Sequence, residues 1–133
     1  MRLVHSIGTL LIGASTLSAQ AGVGLGDPLR GEKLFRRQCT RCHSLHENRA
    51  GPRLDDVYGR TIGTVPGFRY SVALQAGTFA WSDTSLNAWL TGPSTFVRGA
   101  AMPARVKDAD ERVDIIAYLR AVRANADGMR PSP

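Results

Sequence analysis

An all-α domain of three or four helices, joined by loops rich in Gly and Pro, is what three features of this 133-residue chain predict. Asp27-Pro28 and the pair Asp108/Glu111 are helix starts. Between His46 and Tyr70, Gly and Pro recur too often for any long element to fit. Nowhere does a run of alternating residues make a convincing strand.

The domain does not begin at residue 1. Arg2 gives a positive start, Ile7–Gly13 opens a short apolar stretch, and Ala19-Gln20-Ala21 is an A-x-A cleavage site, so residues 1–21 read as a cleaved secretory signal peptide. A retained membrane anchor is the competing reading. A spanning helix needs about 20 mainly apolar residues, and Gly, Ser and Thr dilute this run well before that. The remainder, 22–133, is one domain whose own core would be modest, so a large bound group would help it fold.

Within it, Asp27 caps the first helix, Pro28 takes the first helical position, and Leu34 and Phe35 are its buried residues. This helix is expected to run into Cys39 and Cys42, setting both on one helical turn. A short helix over 71–76 closes at Gly77. Another follows from about Asp83 to Leu90, with Leu86, Trp89 and Leu90 on one face and Gly92-Pro93 as its stop. Residues 94–106 read as loop. In the last helix Asp108 and Glu111 form an Asp version of the capping box, and Ile115, Tyr118, Leu119 and Val122 fall at i, i+3, i+4 and i+7.

Composition narrows the function classes. Seventeen basic residues stand against eleven acidic ones, and loss of Arg2 with the leader leaves a net charge near +5. Only Lys33 and Lys107 are lysines, the basic residues are spread along the chain, and aromatics are not interleaved with them, which argues against nucleic acid. Steering toward acidic protein partners is the functional reading of the charge, and an ordinary solvated surface is the plain one.

The chemistry lies in Cys39-Thr40-Arg41-Cys42-His43. Two cysteines in an exported chain usually mean a disulfide. This spacing instead suits haem attachment: each thiol adds to a haem vinyl group, and the imidazole that follows reaches one face of the iron. A thioredoxin-like pair would want a βαβ context, and a zinc site would want further Cys or His ligands; neither is present in the sequence. An electron carrier also wants a sixth iron ligand. His46 lies three residues from His43 and cannot reach the opposite face, which leaves Met102 and Met129. Met129 sits in a Gly/Pro tail, whereas Met102 sits in Gly99-Ala100-Ala101-Met102-Pro103, whose small residues let backbone approach a flat cofactor, so Met102 is the candidate ligand.

With Gly31, Phe35, Cys39, Cys42, His43, Gly51-Pro52-x-Leu54, Tyr58-Gly59-Arg60, Pro66-Gly67-Phe68, Tyr70, Trp81, Pro93, Met102 and 116–119 in this order, nearly the whole of 22–133 resembles the class I cytochrome c family. The resemblance implies a cytochrome c fold wrapped around one covalent haem c, with the first and last helices crossed at right angles, Gly31 and Phe35 against Tyr118 and Leu119. It makes His43 and Met102 the axial pair, has the Pro52 carbonyl accept from the His43 ring, and assigns Arg60, Tyr70 and Trp81 to the haem propionates, which need donors and positive charge. Trp89 takes the place of a haem-pocket tyrosine near the methionine sulfur, and Ala100 replaces a hydroxyl residue that bonds a propionate, two departures that bear on the redox potential. The lysines around the haem edge are mostly replaced by arginines such as Arg37, Arg41 and Arg98.

The expected function is one-electron transfer in a bacterial periplasm by a monomeric carrier, from a quinol-oxidising complex or a dehydrogenase to a terminal oxidase or similar acceptor. His/Met ligation favours ferrous iron. Two rivals remain: a haem enzyme or gas-binding protein with an open sixth site, and a fixed haem subunit of a larger redox complex.

Overall fold

The computed structural model describes residues 25–128. The leader, Gly22 and Met129 lie outside that range. Five helices occur in the described chain: α1 (Pro28–Gln38), α2 (Val72–Gln75), α3 (Asp83–Thr91), α4 (Pro93–Phe96) and α5 (Ala109–Gly128). No strand is formed among the described residues; the one extended contact is an isolated antiparallel bridge between Thr61 and Ala80.

Local chemistry starts each helix where the residues require it. Asp27 accepts from the Leu29 and Arg30 amides at 2.9 and 3.3 Å, and Pro28 begins α1 without wasting a donor. Ser71 caps α2, and Ser82 with Ser85 forms a reciprocal capping box on α3. Asp108 Oδ1 accepts from the Glu111 amide at 2.9 Å at the head of α5. The Glu111 carboxylate turns to α1, accepting from Arg37 Nη2 at 3.0 Å and Gln38 Nε2 at 2.7 Å. One half of the expected capping box has therefore become a tie between the two long helices.

Two expectations are corrected. Helix α1 ends at Gln38, before the cysteines. The motif then makes a separate turn in which the Cys42 and His43 amides both donate to the Cys39 carbonyl, at 3.1 and 2.9 Å. The stretch after Gly92 is not all loop, since Pro93 opens α4. Gly92-Pro93 both stops one helix and starts another because proline's fixed φ and missing N–H suit a first helical position.

Helices α1 and α5 pack together, and α3 packs on both α4 and α5. A Cβ on Gly31 would come within 2.0 Å of the Asp114 carbonyl and 2.9 Å of Tyr118 Cβ, so only glycine lets the two backbones meet. Beside that point the Phe35 and Tyr118 rings lie 5.3 Å apart. The stripe expected on α5 is wider in the fold: Ile115 and Leu119 are buried, Tyr118 and Val122 are half-buried, and Ile116 and Ala117 are buried as well, because α5 has neighbours on two sides.

Asp114, a carboxylate only 2 % exposed, is set among these apolar residues. It accepts from the Asp27 amide at 2.8 Å and from Arg30 Nε. A buried charge persists only when paired and hydrogen-bonded, and both partners come from the start of α1. The remaining core gathers Val57, Ile62, Trp81, Leu86, Trp89 and Val106 from loops and α3.

Candidate functional site

Cys39 is half-buried and Cys42 is exposed, and they form no disulfide with each other. Burial pushes the Cys39 thiol up to about 11. His43, next in line, has Nδ1 2.8 Å from the Pro52 carbonyl. A carbonyl can only accept, so Nδ1 carries the proton and Nε2 of the neutral ring keeps its lone pair for a metal. Burial lowers the His43 pKa, against the opposing pull of that hydrogen bond, and so favours the neutral, ligating form.

The ring rests directly on backbone. A Cβ on Gly51 would lie 2.2 Å from His43 Cε1 and 2.6 Å from Nδ1. The segment that carries Gly51 and Pro52 is held by Gly51 N donating to the Cys42 carbonyl (2.9 Å) and Leu54 N to the Ser44 carbonyl (3.0 Å). His46 is exposed, its amide bonded to Ser44 Oγ.

Met102 is half-buried against the same apolar core as Cys39. Trp89 Nε1 donates to Met102 Sδ at 3.2 Å. The substitution that sequence reading flagged is thus a direct contact to the candidate ligand, made by a group that can donate but never accept. Trp89 is packed edge-on to Trp81 (5.3 Å), Trp81 to Phe79 (5.2 Å), and Phe79 to the partly exposed Phe96 (5.4 Å). Ala100 packs against the core beside Met102.

Of the three residues assigned to propionates, backbone pairing brings two, Arg60 and Trp81, together. Gly59 N donates to the Trp81 carbonyl (2.7 Å), and Trp81 N donates to the Arg60 carbonyl (2.9 Å), flanking the Thr61–Ala80 bridge. The Tyr70 hydroxyl accepts from the Val65 amide at 3.4 Å. Burial raises its pKa, so the phenol stays a donor, and the charges of Arg60, Asp56 and Arg53 act on it at this site. Arg60 Nη1 pairs with Asp56 Oδ1, both Arg60 Nη atoms lie 3.4 Å from the Arg53 carbonyl, and Arg60 Nε is buried with no partner.

Sequence reading missed Asp56 and Asp114. The alternation Arg53, Asp55, Asp56, Arg60 was the available sign of a charge cluster. Nothing local marks Asp114, whose partners lie 84 and 87 residues away.

The haem fit can be judged from these atoms. Two cysteines outside any disulfide flank a turn, an imidazole presents one unprotonated nitrogen, a thioether borders the same core, and a buried guanidinium nitrogen lacks an acceptor. No group of three or more His, Cys, Asp or Glu side chains able to hold a bare metal ion occurs among the described residues. The donor set suits an iron macrocycle with carboxylates and not a zinc ion.

An all-α shell whose half-buried imidazole follows a C-x-x-C turn defines the class of small haem-attaching electron-transfer domains. Comparison with known proteins agrees. The family model for cytochrome c matches residues 29–123. Cytochrome c of Euglena viridis is 45% identical over 101 residues, 74% of this chain and 99% of that protein. Cytochrome c of Chlamydomonas reinhardtii is 36% identical over 112 residues, 81% of this chain and all of that one. Among solved structures, cytochrome cH from Methylobacterium extorquens aligns with a TM-score of 0.69 at 36% identity, covering 72% of this chain and 99% of its own. The chain belongs to the cytochrome c family, carries one covalent haem c on its cysteine pair, and is an electron carrier rather than an enzyme.

Proposed function

We propose that this chain shuttles single electrons with His43 and Met102 as axial ligands, Cys39 and Cys42 as thioether anchors, and Arg60, Tyr70 and Trp81 around the propionates. The observation that carries the reading is the commitment of His43 Nδ1 to the Pro52 carbonyl at 2.8 Å, which leaves Nε2 as the donor atom. When bound, haem supplies the reversible one-electron couple of its iron. The protein's part is to hold the imidazole still, keep water from the core, and offer a neutral sulfur. Pro52 fixes the ring's tautomer and raises its basicity. The Trp89 N–H at 3.2 Å orients Met102 Sδ and draws electron density from it, which favours the ferrous state.

Residues 1–21 serve as the export signal, and the folded carrier works in the periplasm between a quinol-oxidising complex or dehydrogenase and a terminal oxidase or similar acceptor. No helix among the described residues is long and apolar enough to cross a membrane. Docking relies on cations not engaged elsewhere: among the described residues, Lys33, Arg41, Arg69, Arg98, Arg105 and Lys107 are exposed and make no ion pair, and three of the arginines lie near the haem-holding residues. Arg41 lies inside the cysteine motif, and Arg98 and Arg105 flank Met102, so an acidic partner is drawn to the faces that hold the haem.

The ferric protein should show the weak long-wavelength sulfur-to-iron band. In Met102→Ala the band should vanish, the potential should fall, and carbon monoxide should bind the reduced iron. A wild type that lacks the band, or that binds carbon monoxide readily at neutral pH, overturns the ligand assignment and favours an open sixth site.

A further inference from the structure

The Arg60 guanidinium is largely buried, and its hydrogen bonds are unevenly spent. Its side chain is 10 % exposed. The outer edge is occupied: Nη1 pairs with Asp56 Oδ1, and Nη1 and Nη2 both face the Arg53 carbonyl at 3.4 Å. The inner donor, Nε, is buried without an acceptor. A guanidinium is a rigid plane with five N–H groups, so fixing its two terminal nitrogens also fixes where Nε points. Native proteins seldom leave such a donor unmet.

Asp56 does more than orient. It also accepts from Arg53 Nη1 at 3.2 Å, and Arg53 pairs with Asp55. The four charges alternate in sign through contact and sum to zero. A carboxylate that reaches Arg60 Nε therefore meets a donor whose positive field is largely cancelled.

We infer that Asp56 is the positioning residue for Arg60: it holds the guanidinium by its outer edge with Nε presented to a haem propionate, and its negative charge keeps the haem potential below the value that Arg60 alone would set. The inference rests on the propionate role given to Arg60 above. Asp56→Asn retains an oxygen that can accept from Arg60 but loses the charge. Positive charge left uncompensated beside the iron disfavours its ferric state.

The test is potentiometric titration of purified holoproteins, with the ferric long-wavelength band recorded to show unchanged axial ligation. In Asp56→Asn the ratio of reduced to oxidised protein at a fixed applied potential should rise three- to tenfold, where tenfold corresponds to 59 mV for one electron. Asp56→Glu, which restores the charge, should return the ratio toward wild type. In an Arg60→Ala background the Asp56→Asn shift should differ from its value in wild type, because the two side chains act as a unit. An unchanged ratio in Asp56→Asn, or an identical shift with and without Arg60, overturns the inference. If Arg60→Ala alone leaves the potential unmoved, the propionate reading falls and the inference with it; a shift in Arg60→Ala with none in Asp56→Asn removes the inference alone.

Discussion

Replacing Gly51 by alanine tests whether the imidazole is held by backbone contact, and its size follows from the geometry. The added Cβ would stand 2.2 Å from His43 Cε1. Ordinary carbon contacts begin near 3.5 Å, so the ring or the loop has to retreat by about 1.3 Å. The bond from His43 Nδ1 to the Pro52 carbonyl is 2.8 Å long and can stretch by only about 0.7 Å before it ceases to be one. The substitution therefore breaks that bond or pushes the ligand off its axis. Losing a bond of this kind costs about 0.5–1.5 kcal/mol of stability. A ring no longer donating from Nδ1 is also a weaker base, which disfavours ferric iron and raises the potential. Gly128→Ala is the control, since an added Cβ there has nothing within 4 Å and, as at Gly51, the backbone is not left-handed. Redox titration and thermal melting of the two holoproteins are the assays. Gly51→Ala with wild-type potential and spectrum would refute the argument that the Gly51 backbone seats the ring.

Asp114→Ala strands the Asp27 amide and should cost about 1–3 kcal/mol, lowering the melting temperature by roughly 4–8 °C per kcal/mol, whereas Asp114→Asn, which keeps an acceptor, should lose less. Burial pushes the Asp56 carboxyl up, but the Arg60 and Arg53 guanidiniums overcome this and hold its pKa below the ordinary value. Its contribution to stability should thus be present above the unfolded carboxyl pKa and lost as pH falls through the lower folded one, so thermal melts of wild type and Asp56→Asn should converge only in strong acid. Association with an acidic redox partner should slow roughly tenfold or more as ionic strength rises from about 10 to about 150 mM in stopped-flow measurements, and salt-independent rates would show that the unpaired arginines do not steer docking.

What the sequence announces is whatever is settled within a few residues. Asp27-Pro28 before α1 and Asp108 before α5 each satisfy amides two or three positions on, so caps mark true helix starts. The haem motif is legible for the same reason, because covalent attachment and one axial ligand are packed into five consecutive residues. Helix α4 escaped because four residues carry no period to read. Asp114 escaped because a carboxylate on an apolar face looks like an interruption until its partners on α1 are known. The seat of His43 on Gly51 and the contact of Trp89 with Met102 are meetings in space; the family resemblance located these residues, and only coordinates supply the 2.2 Å approach and the 3.2 Å bond.

The joint between α1 and α5 also sets a timetable for the chain's birth. Asp27 and Asp114 are 87 residues apart, and Gly31 has nothing to meet until the middle of α5 exists. At about 5–20 residues per second, a ribosome needs on the order of 4–17 s to travel that distance. Throughout it Leu34 and Phe35 lack the surface that later buries them, and the Cys39 thiol, half-buried in the finished fold, stands open in an extended chain. A domain whose first helix waits for its last cannot close early around an empty centre, so the cysteines stay accessible until the α5 segment has emerged.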